Sequence, residues 1–254
     1  MTRIICVIPA RMASSRFPGK PLARLLGMPL LLHVWHRCRL SGAFERVVIA
    51  TCDEEIRTVC EAAGAEVVMT KDTHERATDR TVEAIAKMNL GLADDDLVMM
   101  VQGDEVLVTP EMINDIVAAY ENGKPDAVNL GSRLARQEDI DDPNTVKVVS
   151  DPKGGVMYLS RAPIPSRARK ANVAVYQQTG VMGFSARFLR RFSELPQTPL
   201  EIIESVDMLR VIEHGLDLLL IRTEIETVGV DNEADRAHAE ILLDRSPVTR
   251  RYLS

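Results

Sequence analysis

No apolar run in this sequence approaches the roughly 20 residues that cross a bilayer as a helix, which excludes a helical membrane span. The first residues, MTRIICVIPAR, hold strand formers where a secretory leader would carry an apolar segment and a small-residue cleavage site. A cytoplasmic protein is the expectation. Cysteine is scarce: Cys6, Cys38, Cys52 and Cys60 all fall in the first quarter, with no CxxC pair and no histidine cluster beside them. That pattern fits reduced structural thiols and argues against a structural zinc site. The histidines form no HxxxH or HExxH pair, and no GxGxxG stretch occurs, which disfavours a simple dinucleotide oxidoreductase. Positive charge is also short. With 31 Lys and Arg against 37 Asp and Glu, the net charge is -6 and no basic block exists, so general nucleic-acid binding is disfavoured. Any phosphate site must be local and shaped by the fold.

What is present is an alternation of short apolar runs and amphipathic segments over 254 residues. Ile4–Ile8, Val47–Thr51, Ala65–Met69 and Leu97–Val101 read as buried strands, and Pro29–Leu40, Glu54–Ala63, Thr78–Met88 and Pro110–Asn122 as helices between them. Asp53 is placed to cap the second helix. This order predicts an α/β fold with a mostly parallel central sheet covered on both faces. The second half changes character. Ala127–Ser132, Val146–Ser150, Gly155–Ser160 and Thr179–Phe184 are strand-like and closely spaced, which suggests a small antiparallel region. Residues 161–178 read as a loop, Ala186–Glu194 as a helix, and Thr198–His214 as one long helix. Leu218–Thr223 and Val228–Val230 read as strands, and Asn232 opens a last helix. The chain has no internal repeat and is expected to form a single domain.

Four features sit where ligands bind in open parallel sheets, beyond the carboxyl ends of strands. The stretch IPARMASSRFPGKPL follows the first strand. Ser14, Ser15 and exposed N–H groups can donate to phosphate oxygens, while Arg11, Arg16 and Lys20 supply opposing charge and Gly19 permits close backbone approach. It is not a GxxxxGK[ST] loop; a solvated basic turn is the alternative reading. Val101-Gln-Gly-Asp-Glu105 places two carboxylates after a buried strand, suited to a hard cation such as Mg²⁺. Val228-Gly-Val-Asp231 ends in a carboxylate that either joins Asp104 on a metal or caps the last helix. His74-Glu-Arg-Ala-Thr-Asp-Arg80 follows the third strand, with Thr78 or Asp79 as helix cap in the structural alternative.

IPARMASSRFPGKPL, the Gln102–Glu105 turn, Asp142-Pro-Asn-Thr-Val-Lys-Val-Val149, Tyr158-Leu-Ser-Arg-Ala-Pro-Ile-Pro165 and Gly229-Val-Asp231 together resemble the 3-deoxy-manno-octulosonate cytidylyltransferases, the CMP-KDO synthetases, in the same order and across nearly the whole chain. The resemblance implies a Rossmann-like nucleotidyltransferase fold, CTP as cosubstrate, Mg²⁺, a sugar acid as acceptor, and a homodimer formed partly by the middle strands. By resemblance Ala10, Arg11, Ser14, Ser15, Lys20, Arg76, Thr78, Arg80 and Gln102 contact the nucleotide. Asp104 and Asp231 hold Mg²⁺ and act with Arg11 and Lys20 in catalysis. Gln102, Arg161, Gln178, Met182, Glu204, Asp207 and Met208 face the sugar acid.

The departures cluster on the sugar side. The family pattern His-Leu-Gly-Ile-Tyr-Gly-Tyr stands here as Gln178-Thr-Gly-Val-Met-Gly-Phe184, Glu-Gln-Leu-Arg as Asp207-Met-Leu-Arg210, and Ser-Gly-Thr-Glu-Arg as Arg76-Ala-Thr-Asp-Arg80. A methionine cannot donate to a sugar hydroxyl. The expectation is an intact nucleotide half beside an altered acid specificity. Two other readings stay open: a nucleotidyltransferase for another sugar, a phosphonate or a polysaccharide precursor, and a non-catalytic nucleotide-binding module.

Overall fold

The computed structural model describes residues 2–13, 17–170 and 172–253. Its elements run β1 (Ile4–Pro9), a 3-10 turn at Lys20–Leu22, β2 (Arg24–Leu25), β3 (Met28–Pro29), α1 (Leu30–Leu40), β4 (Arg46–Thr51), α2 (Glu54–Ala62), β5 (Glu66–Met69), α3 (Ala77–Met88), β6 (Leu97–Val101) and α4 (Pro110–Gly123). There follow β7 (Ala127–Leu134), α5 (Gln137–Asp141), β8 (Lys147–Ser150), β9 (Val156–Ser160), β10 (Val175–Ser185), α6 (Ala186–Phe192), α7 (Pro199–Glu204), α8 (Met208–Glu213), β11 (Leu218–Thr223), α9 (Glu233–Arg245) and a 3-10 turn at Thr249–Arg251.

One sheet carries nine of these strands, with the path β11-β7-β10-β6-β1-β4-β5. β1 is parallel to β4 and β6, β4 to β5, and β11 to β7; β10 alone on that path runs against its neighbours. β8 pairs antiparallel with both β9 and the start of β10. The expected α/β architecture with its antiparallel annex is therefore present.

The apolar runs of β1 and β6 make sense as strands buried on both faces. Ile4, Cys6 and Ile8 of β1, with Leu97, Met99 and Val101 of β6, enter one core under α1, α2, α4 and α9. Val7, Val98 and Met100 enter the other, under α3, α6 and α8. Alternate side chains thus feed opposite layers, as the strand period of two requires. Each fully buried large apolar side chain contributes about 1.5–3 kcal/mol, so such a double layer fixes the register of the strand ends.

Three expectations are corrected. The segment 198–214 is not one helix. It breaks at Ser205, whose φ of 54° is left-handed, and Glu213 of α8 folds back to accept the N–H groups of Leu200 and Glu201 at the start of α7. A buried ion pair between Arg210 and Glu201 joins the two pieces, with side-chain exposures of 6% and 0%. Val228–Val230 is not a strand and pairs with no other strand among the described residues. The loop reading of 161–178 is too long by four residues, since β10 begins at Val175, where Tyr176 and Gln177 pair with Val148 and Lys147.

Candidate active site

The carboxyl ends of β1, β6, β7 and β11, with the amino end of the reversed β10, open onto one cavity of about 890 Å³. β1 delivers Pro9, Ala10 and Arg11 to its wall. The chain after it is tied down from beneath: Met12 donates its N–H to Asp53 at 2.8 Å and accepts at its carbonyl from Gly19 N–H at 3.2 Å. Asp53 therefore serves this turn and makes no side-chain cap on α2. Gly19 holds φ 74°, where a side chain would be strained, and the reversal it makes points Lys20 back across the strand ends. Ser14, Ser15 and Arg16 lie outside the described residues.

β6 ends in the tightest part of the site. A Cβ on Gly103 would stand 3.0 Å from Leu31 and 3.1 Å from the Pro9 carbonyl, so glycine is what lets the two strand ends meet. Asp104 then faces Lys20: Nζ lies 2.6 Å from Asp104 Oδ2 and 3.1 Å from Asp231 Oδ1. Burial opposes the Lys20 charge, but the two carboxylates outweigh it and raise its pKa above the ordinary value. Asp231 does not cap α9. Asn232 does, accepting from Asp235 N–H at 3.0 Å. The alternative cap reading of Asp231 is thereby replaced, and two carboxylates distant in sequence converge.

The adjacent carboxylates of the turn divide. Glu105 accepts the Gly180 N–H at 2.5 Å, while its other oxygen is buried without a hydrogen-bond partner among the described residues. Burial first, and the neighbouring Asp104 charge second, push its carboxyl up to about 7. Gly180 O in turn accepts from Gln102 N–H at 2.9 Å, which locks β10 to the end of β6. Gln102 lines the cavity.

Arg11, Arg76 and Arg80 also line the cavity, with His74 and Glu75. Arg11 donates to the His74 carbonyl at 3.2 Å, and the His74 ring is held by Glu83. Arg80 is 2% exposed; its Nη1 serves Thr70 and Lys71, and its Nη2 has no hydrogen-bond partner among the described residues. A buried guanidinium nitrogen left over at a cavity wall is a ready anion contact. Thr78 does not reach the cavity. It is fully buried and donates to Asp207 Oδ2 at 2.7 Å, so it acts behind the wall.

On the remaining side Gln178 donates to Asn129 Oδ1 at 2.8 Å, and Met182 reaches the wall with 3% exposure. Asp207 lines the same region; burial raises its carboxyl, although Thr78 and Arg76 oppose the rise. Arg161 also lines it, but its guanidinium is spent on the carbonyls of Glu204 at 2.6 Å and Pro143 at 3.0 Å. Glu204 and Met208 are not wall residues. Glu204 accepts from Tyr158, Ser160 and the Arg161 N–H, and Met208 is fully buried in the second core, so both are repositioned from binding to support. Asn129 and Glu83 carry no signal in the sequence, whereas Gly180 and His74 lie inside stretches singled out there on other grounds.

The donor set fits a hard divalent cation. Two carboxylates already meet on one cationic centre, and Mg²⁺ is held by one or two carboxylates with substrate phosphates completing its shell.

The family model described as cytidylyltransferase matches residues 5–222. A 3-deoxy-manno-octulosonate cytidylyltransferase from Thermodesulfovibrio yellowstonii is 37% identical over 249 residues, covering 94% of this chain and 98% of that one. An 8-amino-3,8-dideoxy-manno-octulosonate cytidylyltransferase from Shewanella halifaxensis is 38% identical over 234 residues, covering 91% and 95%. A CMP:2-keto-3-deoxy-manno-octonic acid synthetase solved as a complex with CTP superposes with a TM-score of 0.88 at 29% identity, covering 96% of this chain and 99% of that one. On these matches the chain belongs to the 3-deoxy-manno-octulosonate cytidylyltransferase family.

Proposed function

We propose that this chain is a CTP-dependent cytidylyltransferase that couples CTP to a 3-deoxy-2-ulosonic acid, releasing pyrophosphate and a CMP-sugar. The observation that carries the site assignment is the meeting of Lys20 with Asp104 and Asp231 at the strand ends. Cytidylyl transfer is attack of the anomeric oxygen on the α-phosphorus with pyrophosphate leaving in line. It needs positioning and charge neutralisation more than covalent help. Lys20 and Arg11 oppose the triphosphate charge, and the unused Arg80 Nη2 offers it a further donor. Asp104 and Asp231 would hold Mg²⁺, which when bound neutralises the leaving group and lowers the pKa of the attacking hydroxyl. Gln102, locked through Gly180, orients substrate between the two walls.

The acid is a KDO-like one whose identity the third wall sets. Relatives acting on the 8-hydroxy and the 8-amino acid match equally well, so overall similarity does not choose between them. Met182 and Gln178, with Gln178 committed to Asn129, favour an acid other than the ordinary 3-deoxy-manno-octulosonate. We further propose a homodimer, supported by the exposed Met157 of β9 and Ile202 and Ile203 of α7. Sedimentation of the purified protein tests it.

The test of activity is pyrophosphate release with CTP, Mg²⁺ and a panel of acids, repeated with UTP and dCTP. Release with CTP and at least one 3-deoxy-2-ulosonic acid is expected. No release with any acid would overturn the assignment. Ordinary 3-deoxy-manno-octulosonate as the best substrate would remove the altered specificity alone.

A further inference from the structure

Arg37 of α1 is fully buried, yet no carboxylate lies within ion-pair distance among the described residues. Buried cations are normally paired, because removal from water penalises the charge. Arg37 instead spends its donors on four oxygens from two parts of the chain. Nη1 donates to the Val108 carbonyl at 3.0 Å, Nη2 to Thr249 Oγ1 at 2.7 Å and Ser246 Oγ at 3.0 Å, and Nε to the Tyr252 hydroxyl at 3.2 Å.

The hydrogen bonds continue with a defined direction. His33, one turn earlier on α1 and fully buried, places Nε2 2.8 Å from the Leu25 carbonyl and Nδ1 2.8 Å from the Tyr252 hydroxyl. A carbonyl only accepts, so Nε2 carries the proton and Nδ1 accepts from Tyr252. The relay reads Arg37 to Tyr252 to His33 to Leu25. Tyr252 is also stacked on His36, with ring centroids 5.1 Å apart.

Its end points matter. Val108 lies in the segment that leaves Asp104. Ser246 follows α9, whose first turn adjoins Asp231. Leu25 follows the 3-10 turn that begins with Lys20. Two more ties bind the same parts: Leu26 N–H donates to Glu240 at 2.6 Å, and Arg236 donates to the Arg24 carbonyl at 3.0 Å. The three arms that bring Lys20, Asp104 and Asp231 together are therefore all fastened to one face of α1. We propose that Arg37, Tyr252 and His33 are positioning residues that set the spacing of the Lys20–Asp104–Asp231 centre, with the chain's C-terminal turn as part of the active-site scaffold. The role assigned to that centre rests on the cytidylyltransferase reading; the spacing itself does not.

The experiment reads the centre without turnover. The full-length protein, its Tyr252→Phe and Arg37→Met variants, and a Phe192→Leu control in the opposite core are acylated with trace amine reagent. The rate at Lys20 is then measured by peptide mass spectrometry, with the exposed Lys153 as internal reference. A lysine clasped by two carboxylates reacts slowly. Tyr252→Phe, which keeps the ring and removes the relay hydroxyl, is expected to raise the Lys20 rate about tenfold with Lys153 unchanged, while a Phe192→Leu control of matched Tm loss leaves both alone. In turnover assays the same variant should lower kcat with the KM for the acid unchanged. An unchanged Lys20 rate in Tyr252→Phe overturns the proposal, as does an equal rise in the control. Should Arg37→Met not fold, Tyr252→Phe decides alone. A chain without turnover whose Lys20 rate responds as expected sinks the cytidylyltransferase reading and leaves the scaffold standing.

Discussion

Lys20 Nζ lies 2.6 Å from Asp104 Oδ2, although 84 residues separate them, and the contact crosses from the turn after β1 to the end of β6. Asp231 completes the cluster from before α9 at 3.1 Å. In the absence of other cations the lysine is what keeps the two carboxylates together. Lys20→Met should therefore lower the Tm, by a loss of about 1–2 kcal/mol for this partly exposed cluster, below the 3–5 typical of a fully buried pair. Added Mg²⁺ should recover more stability in the variant than in the parent, since it takes over the neutralising role. Thermal unfolding with and without Mg²⁺ checks both. A variant indifferent to Mg²⁺ would mean that Asp104 and Asp231 do not bind it. Activity of the same variant with CTP should fall by about 10²–10³-fold, the scale of losing one preorganised charge contact.

How far this centre was legible in the sequence depends on the residue. Asp104 and Lys20 could be placed at strand ends because Leu97–Val101 and Ile4–Ile8 are apolar without interruption, and a strand buried on both faces leaves no choice of where its polar exit lies. Asp231 is harder, since Asp and Asn both cap helices and only the fold decides that Asn232 does so. The break in 198–214 left no mark in the apolar spacing. It depends on Glu213 reaching back to the start of α7 and on Arg210 finding Glu201, contacts that a local period does not encode. Asp207 lines the cavity, while Met208 is buried in the second core and Glu204 is bonded to Tyr158, Ser160 and the Arg161 N–H, partners distant in sequence that a local period does not show. Gly180 has nothing local to mark it, since its partners, Glu105 and Gln102, come from the turn after β6.

Gly180 offers a second expected outcome. A Cβ there would stand 2.7 Å from Gln102 Cβ and 2.8 Å from its Cδ, and the Gly180 peptide is bonded on one side to Glu105 and on the other to Gln102. Moving Gln102 aside means breaking one of those bonds. Gly180→Ala should destabilise by about 1–3 kcal/mol, as overpacking does. Since Gln102 lines the cavity, the KM for the acid should rise as well. Chemical denaturation and steady-state kinetics on one preparation separate the two effects. An unchanged KM would show that Gln102 does not touch the acid.

Glu83 sets a pH dependence. Burial opposes its charge, but the Lys71 N–H, Lys87 and His74 hydrogen-bond to it and hold its carboxyl at about 2, against an ordinary 4.5. A folded-state pKa below the unfolded one stabilises the fold at every pH above the unfolded value, and that contribution fades as pH falls toward the folded value. The Tm gap between the parent and Glu83→Gln should be constant above about pH 5 and narrow from pH 4.5 toward pH 2. A gap that widened with acid would reverse the sign and refute the assignment. Because His74 supports the Arg11 contact through its carbonyl, Glu83→Gln should also weaken CTP binding at neutral pH.

Met182 is where acid specificity should be most readily moved. Its side chain is nearly buried but reaches the wall shared with Gln178 and Asp207, and as a thioether it offers a substrate hydroxyl only a weak acceptor and no donor. Met182→Tyr adds a hydroxyl that can donate and accept at this wall. A site that hydrogen-bonds a substrate group discriminates strongly against an acid lacking it, up to about 10⁴ when the partner goes unpaired, whereas an apolar wall discriminates weakly. The ratio of kcat/KM for 3-deoxy-manno-octulosonate over an analogue that lacks the hydroxyl facing this wall should therefore rise by about tenfold or more in Met182→Tyr, with the KM for CTP unchanged. Gln178→His alone should do less, because Asn129 already holds the Gln178 amide and the replacement must first break that bond. Competition between the two acids in one reaction, with the CMP products quantified, reads the ratio directly. A ratio equal in parent and Met182→Tyr would mean that the acid does not lie against this wall, and the altered-specificity proposal would lose its structural basis.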